Sequence, residues 1–83
     1  MADKKLILLV DDDPDFVEAV RVIVENGGYE VEVAYDGQEG LVKARQETPD
    51  LIILDLMLPR LDGLELCRIL RREREVPIIM LTA

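Results

Sequence analysis

Strand-like and helix-like blocks alternate along this 83-residue chain, which predicts an α/β fold: a parallel sheet with helices on both faces, in the order β-α-β-α-β-α-β. Three observations carry that expectation. Leu6-Ile7-Leu8-Leu9-Val10 and Leu51-Ile52-Ile53-Leu54 are apolar throughout, as strands covered on both faces are. Between the strand-like blocks, apolar residues recur at helical spacing. The connections are short, and the chain shows no linker, low-complexity tract or internal repeat beyond the βα unit.

Taken in order, the first strand is expected over residues 5–10. Asp13 then reads as an N-cap with Pro14 at the first helical position, opening a helix over 14–26 on which Phe16, Val20 and Ile23 recur beside Val17 and Val24. Asn26-Gly27-Gly28 closes it, glycine suiting the left-handed conformation past a helix end. Residues 29–34 alternate with period two, and Glu30 and Glu32 on one face suit an edge strand. A second helix is expected over 36–47, with Asp36 as a cap and Leu41 and Ala44 as its apolar stripe, until Pro49-Asp50 breaks it. A third strand over 51–55 leads through a loop to Asp62-Gly63 and a third helix over 63–74, with Leu66, Ile69 and Leu70 on one side. Residues 77–82 form the fourth strand.

Composition excludes several function classes. Ten basic against eighteen acidic residues give a net charge of −8, which repels nucleic-acid phosphates and anionic membrane surfaces. Half the residues are apolar and fall in blocks, unlike a disordered chain. The longest apolar run, Leu6 to Val10, is far below the roughly 20 residues of a membrane span. A lone cysteine, Cys67, fits a reducing compartment, so the expectation is a cytoplasmic domain with no membrane partner.

In open α/β sheets ligands bind beyond the carboxyl ends of the strands. Asp11, Asp12 and Asp13 follow the first strand and Asp55 ends the third. If those strands are neighbours, Asp11, Asp12 and Asp55 meet on one rim and repel one another unless a cation joins them. A few hard oxygen ligands on an open rim suit Mg²⁺, with several waters retained. Thr82, ending the fourth strand, would bring a hydroxyl to the same place. The blander readings are a turn aspartate at each strand end, an apolar role for Cys67, and a solvated helix end for Arg68, Arg71, Arg72 and Arg74. Asp11, Asp12 and Asp55 stand out because they come from two strands and have no basic neighbour in sequence.

Leu8-Leu9-Val10-Asp11-Asp12-Asp13, Leu54-Asp55-Leu56-Met57-Leu58-Pro59 with Asp62-Gly63, and Pro77-Ile78-Ile79-Met80-Leu81-Thr82-Ala83 together resemble the receiver domain of two-component response regulators, over the whole chain and in order. The resemblance implies a flavodoxin-like sheet with strand order 2-1-3-4 over these four strands. It implies that Asp55 is the phosphoacceptor, phosphorylated by a sensor histidine kinase. Asp12, Asp55 and the Met57 backbone carbonyl would hold Mg²⁺, with Mn²⁺ as a substitute, and Asp11 would contribute through water. Thr82 would bind the phosphoryl group as a switch. Such a module is not an enzyme, beyond transferring phosphate to itself and losing it again. The Leu56-Met57-Leu58-Pro59 run favours transcriptional control through a separate DNA-binding domain, without nucleic-acid binding by this one.

Set against that family, residues 1–83 read as a truncated N-terminal fragment: a fifth strand, its lysine and aromatic, and two further helices have no counterpart. The family lysine is absent, and Lys4, Lys5 and Lys43 are not placed to replace it. Self-association through an uncovered fourth strand, Ile78 to Leu81, is therefore expected. Two alternatives stand beside the receiver: an idle structural α/β fragment, and a haloacid-dehalogenase-like phosphotransferase. The latter is disfavoured because it needs a second acid where Met57 stands.

Overall fold

The computed structural model describes residues 4–58 and 61–81. Four strands, β1 (Leu6–Val10), β2 (Glu30–Ala34), β3 (Leu51–Asp55) and β4 (Ile78–Leu81), form one parallel sheet in the order β2-β1-β3-β4. Helices α1 (Pro14–Asn26), α2 (Gly37–Glu47) and α3 (Gly63–Glu73) make the crossovers. Every element expected from periodicity is present; most ends coincide with the expected ones, and four that differ by one residue do so for identifiable reasons. The Tyr29 N–H donates back to Val24 of α1, so β2 begins at Glu30. Asp36 is extended and caps α2 rather than joining it. Arg74 is likewise extended, as the cap that ends α3. Pro77 has no N–H to donate, and only its carbonyl enters the ladder, accepting from Ile52.

The central strand β1 is buried from Ile7 to Val10, as a strand covered on both faces must be. Beyond that, the two faces differ. Leu8, Val10, Ala34, Ile52 and Leu54 point to the side of α2 and α3 and form one cluster with Ala44, Leu66, Cys67, Leu70 and Val76. On the α1 side, Val17 is the one buried helix residue, at 2% exposure. The apolar repeat on α1 therefore meets the sheet through Val17, with Val20 and Val24 half-buried, while Ile23 faces outward and Phe16 is partly exposed toward the rim. Ile53 is half-buried, and Ile79 and Met80 of the edge strand β4 are exposed.

Caps position the helices over the rim. Asp13 accepts from the N–H groups of Asp15 and Phe16, Asp36 from Glu39, and Asp62 from Leu64. Glu39 in turn accepts from the Tyr35 N–H at 2.6 Å, tying the entry of α2 to the end of β2. Arg45 of α2 and Glu73 of α3 form an ion pair that joins the two helices on the packed face.

Candidate acidic site

Strand register places the site. Val10 of β1 is level with Leu54 of β3, so Asp11 and Asp55 follow as adjacent rim residues on neighbouring strands. Asp55 is also paired with Leu81 of β4. Side chains alternate along a strand, and Asp11 and Asp55 continue the rows Ile7-Leu9 and Leu51-Ile53 on the α1 side. Asp12 is one residue further along the turn into α1. One carboxylate oxygen from each of Asp11, Asp12 and Asp55 lies within 4.8 Å of the others. The group grades from buried (Asp11, 6% exposed) through half-buried (Asp55) to exposed (Asp12).

Hydrogen bonds hold two of the three. Asp11 Oδ1 accepts from the Asp13 N–H at 3.0 Å, and the Asp11 N–H donates to the Ala34 carbonyl at 3.0 Å. Asp55 Oδ1 accepts from the Met57 N–H at 3.0 Å. Burial raises the Asp11 pKa above its ordinary value; the Asp13 N–H opposes the rise, and the charges of Asp55, Asp12 and Asp13 add to it. Among the described residues no lysine or arginine pairs with any of the three. Lys43 is engaged elsewhere, beside the Val33 carbonyl, Glu32 and Glu39. A concentration of negative charge with hard oxygen donors, open to solvent on one side, fits a small divalent cation. An open cleft of about 430 Å³ lies over the group, lined also by Asp13, Phe16, Met57 and Leu81.

The structure thus brings together Asp11, Asp12 and Asp55, with Met57 on the cleft wall, and keeps Asp13 as the α1 cap. Thr82 lies outside the described residues; its neighbour Leu81 borders the cleft. The lining residues Phe16 and Leu81 carry no chemical signal in sequence, because only register and helix rotation bring them to the rim. Cys67 is buried in the α3 core, as its apolar reading holds.

The family model for the response regulator receiver domain matches residues 7–83. The chain belongs to that family. Among curated relatives, the alkaline phosphatase synthesis transcriptional regulatory protein PhoP of Bacillus subtilis is 51% identical over 80 residues, covering 95% of this chain and 33% of that protein. The DNA-binding response regulator MtrA of Mycolicibacterium smegmatis is 44% identical over 80 residues, covering 96% of this chain and 35% of that protein. This receiver chain spans about a third of the length of the curated relatives it matches. Among solved structures, a CheY-like response regulator receiver domain protein from Methanospirillum hungatei JF-1 aligns with a TM-score of 0.93 at 38% identity, over 96% of this chain and 65% of that one. The receiver sheet order β2-β1-β3-β4 is that of a flavodoxin-like fold. Among the described residues no helix is long and apolar enough to cross a membrane.

Proposed function

We propose that this receiver is phosphorylated on Asp55 by a sensor histidine kinase, with Asp12, Asp55 and the Met57 carbonyl holding Mg²⁺ directly and Asp11 contributing through water. The observation that carries the reading is the convergence of carboxylates from β1 and β3, with no basic partner among the described residues. Mn²⁺ fits the same hard oxygen set.

The chemistry follows from how Asp55 is held. Its Oδ1 accepts from the Met57 N–H, which fixes the orientation of the carboxylate; one Asp55 oxygen would face the cation and the other would attack phosphorus. A bond forms from that oxygen to phosphorus while the bond from phosphorus to the donor imidazole nitrogen breaks, and the nitrogen keeps the electron pair. The cation supplies charge neutralisation between a carboxylate and an incoming phosphoryl group. Positioning accounts for most of the rest, since phosphoryl transfer asks little further covalent chemistry of the protein. Asp11, raised in pKa by burial and by its acidic neighbours, is relieved by a cation at the rim. Thr82 would bind the phosphoryl group as the switch.

Control of transcription is the wider role this reading supports, since the relatives carry the descriptions DNA-binding and transcriptional regulatory. Acidic charge keeps nucleic-acid contact away from this domain. By itself the 83-residue chain pairs with copies of itself through β4, where Ile79 is 50% and Met80 42% exposed on an edge strand. The deciding experiment is incubation with acetyl phosphate and Mg²⁺, with the modified residue located by mass spectrometry. Phosphate on Asp55 that is abolished in Asp55→Asn supports the reading; undiminished labelling of that variant overturns it.

A further inference from the structure

Two helix starts press main chain against the two described ends of the connection between β3 and α3. A Cβ placed on Gly63, the first residue of α3, would lie 2.6 Å from the Leu56 Cα and 3.0 Å from its carbonyl carbon, and closer still to the Asp55 carbonyl oxygen. A Cβ on Gly37, the first residue of α2, would lie 2.6 Å from the Leu61 Cβ and 2.8 Å from its carbonyl carbon, and closer still to its carbonyl oxygen. Carbon atoms in contact sit about 3.5–4.0 Å apart, so neither gap admits a methyl group unless the neighbour moves. Nearly all the obstructing atoms are main chain, so the neighbour that moves is the loop backbone itself.

Dihedral freedom does not explain these glycines. Gly28 is the one glycine with positive φ among the described residues, so Gly37 and Gly63 hold conformations that alanine adopts freely. Alanine is also the better helix former. What excludes it is space, and the space concerned borders the site. Asp55 and Leu56 are the residues that Gly63 touches, the Gly63 N–H donates to the Leu56 carbonyl at 3.2 Å, and the next residue, Met57, donates to Asp55 Oδ1. Asp11 and Asp12 follow the end of β1 and are not among the atoms nearest to either glycine.

We propose that Gly37 and Gly63 are positioning residues of the acidic rim: their close approach sets where the Asp55 carboxylate and Met57 carbonyl stand relative to Asp11 and Asp12, and so favours a small octahedral cation over a larger one. The proposal rests on reading that rim as a divalent-cation site. Mg²⁺ demands near-ideal octahedral geometry at about 2.0–2.1 Å, whereas Ca²⁺ accepts irregular shells at about 2.3–2.6 Å. A shifted Asp55–Leu56 backbone therefore harms Mg²⁺ binding more than Ca²⁺ binding.

The test is calorimetric titration of the chain with Mg²⁺ and separately with Ca²⁺, for wild type, Gly63→Ala, Gly37→Ala and Asp12→Ala. Urea unfolding and the Met57 amide resonance of each metal-free protein are measured alongside. Gly63→Ala should lose at least about tenfold in Mg²⁺ affinity but less than about threefold in Ca²⁺ affinity, with a displaced Met57 amide resonance. Gly37→Ala, acting at Leu61, should show the same selectivity change in smaller measure. Asp12→Ala should weaken both ions. A folded Gly63→Ala with wild-type Mg²⁺ affinity, or equal losses for both ions, overturns the proposal. If Gly63→Ala does not fold, Gly37→Ala carries the test, and failure of both to fold overturns positioning in favour of plain structural need. Absence of Mg²⁺ binding by wild type would instead defeat the reading of the rim; an unmoved Met57 amide would then still overturn the positioning claim.

Discussion

The two faces of the sheet are built to different standards. On the α2 and α3 side, Leu8, Val10, Ile52, Leu54, Leu66 and Leu70 are all at 0–1% exposure and form one continuous cluster. On the α1 side a single helix meets the sheet through Val17, Ile53 is half-buried, and Ile79 stands 50% exposed. The rows that end in Asp11 and Asp55 lie on this second, looser side. Packing on the α2 and α3 side holds β1 and β3 next to each other, and that adjacency is what sets Asp11 beside Asp55.

Core truncation should show the largest contrast. Leu54→Ala, on the closed face, is expected to lower unfolding free energy by about 2–5 kcal/mol. Ile53→Ala, one residue away on the other face, should cost roughly half as much or less, because less of its surface leaves water on folding. Urea unfolding of the pair decides it, and equal losses would erase the distinction between the faces.

A smaller effect on folding, but a visible one on mass, is expected from Ile79→Lys. A lysine on the open face of an edge strand blocks edge-to-edge pairing and should leave a single-chain species in sedimentation at micromolar concentration. Folding stability should change by only about 0.5 kcal/mol, as for other surface substitutions. A wild-type chain that already sediments as a monomer would break this part of the comparison.

The subtlest expectation concerns protons at the rim. Asp11 has a folded pKa above its ordinary value of 3.8, first through desolvation and then through Asp55, Asp12 and Asp13. A carboxyl raised in this way binds its proton more tightly in the folded chain than in the unfolded one. The stability it contributes is fully present below about its unfolded value and is lost as pH rises through its folded value. Asp11→Asn should therefore gain on wild type in urea midpoint as pH is raised through that window in metal-free buffer, and millimolar Mg²⁺ should narrow the gap at neutral pH. Parallel curves for the two proteins would show that Asp11 bears no such strain.

Much of this architecture is legible in sequence because its signals are local. Leu6 to Val10 and Leu51 to Leu54 announce doubly covered strands, and Asp13-Pro14, Asp36 and Asp62-Gly63 announce helix starts. The adjacency of Asp11 and Asp55 is different in kind. It depends on β1 and β3 being neighbours, which spacing alone leaves conditional and the family resemblance supplies. Helix rotation was harder still: Phe16, Val20 and Ile23 form as regular an apolar repeat as Val17, Val20 and Val24, and only contact with the sheet selects between them. The crowding at Gly37 and Gly63 left no local trace beyond a poor helix former at each helix start, because its cause lies in residues distant in sequence.

Cys67 gives the molecule a clock of its own. It is the chain's single thiol, buried on α3 against the closed face, with the Arg71 guanidinium donating to its sulfur at 3.1 Å. At 6% exposure it is largely shielded from an alkylating reagent by the packed core and by the Arg71 side chain. The labelling rate at saturating reagent counts the openings that uncover it, and its dependence on urea separates local movement at Arg71 and α3 from unfolding of the whole chain.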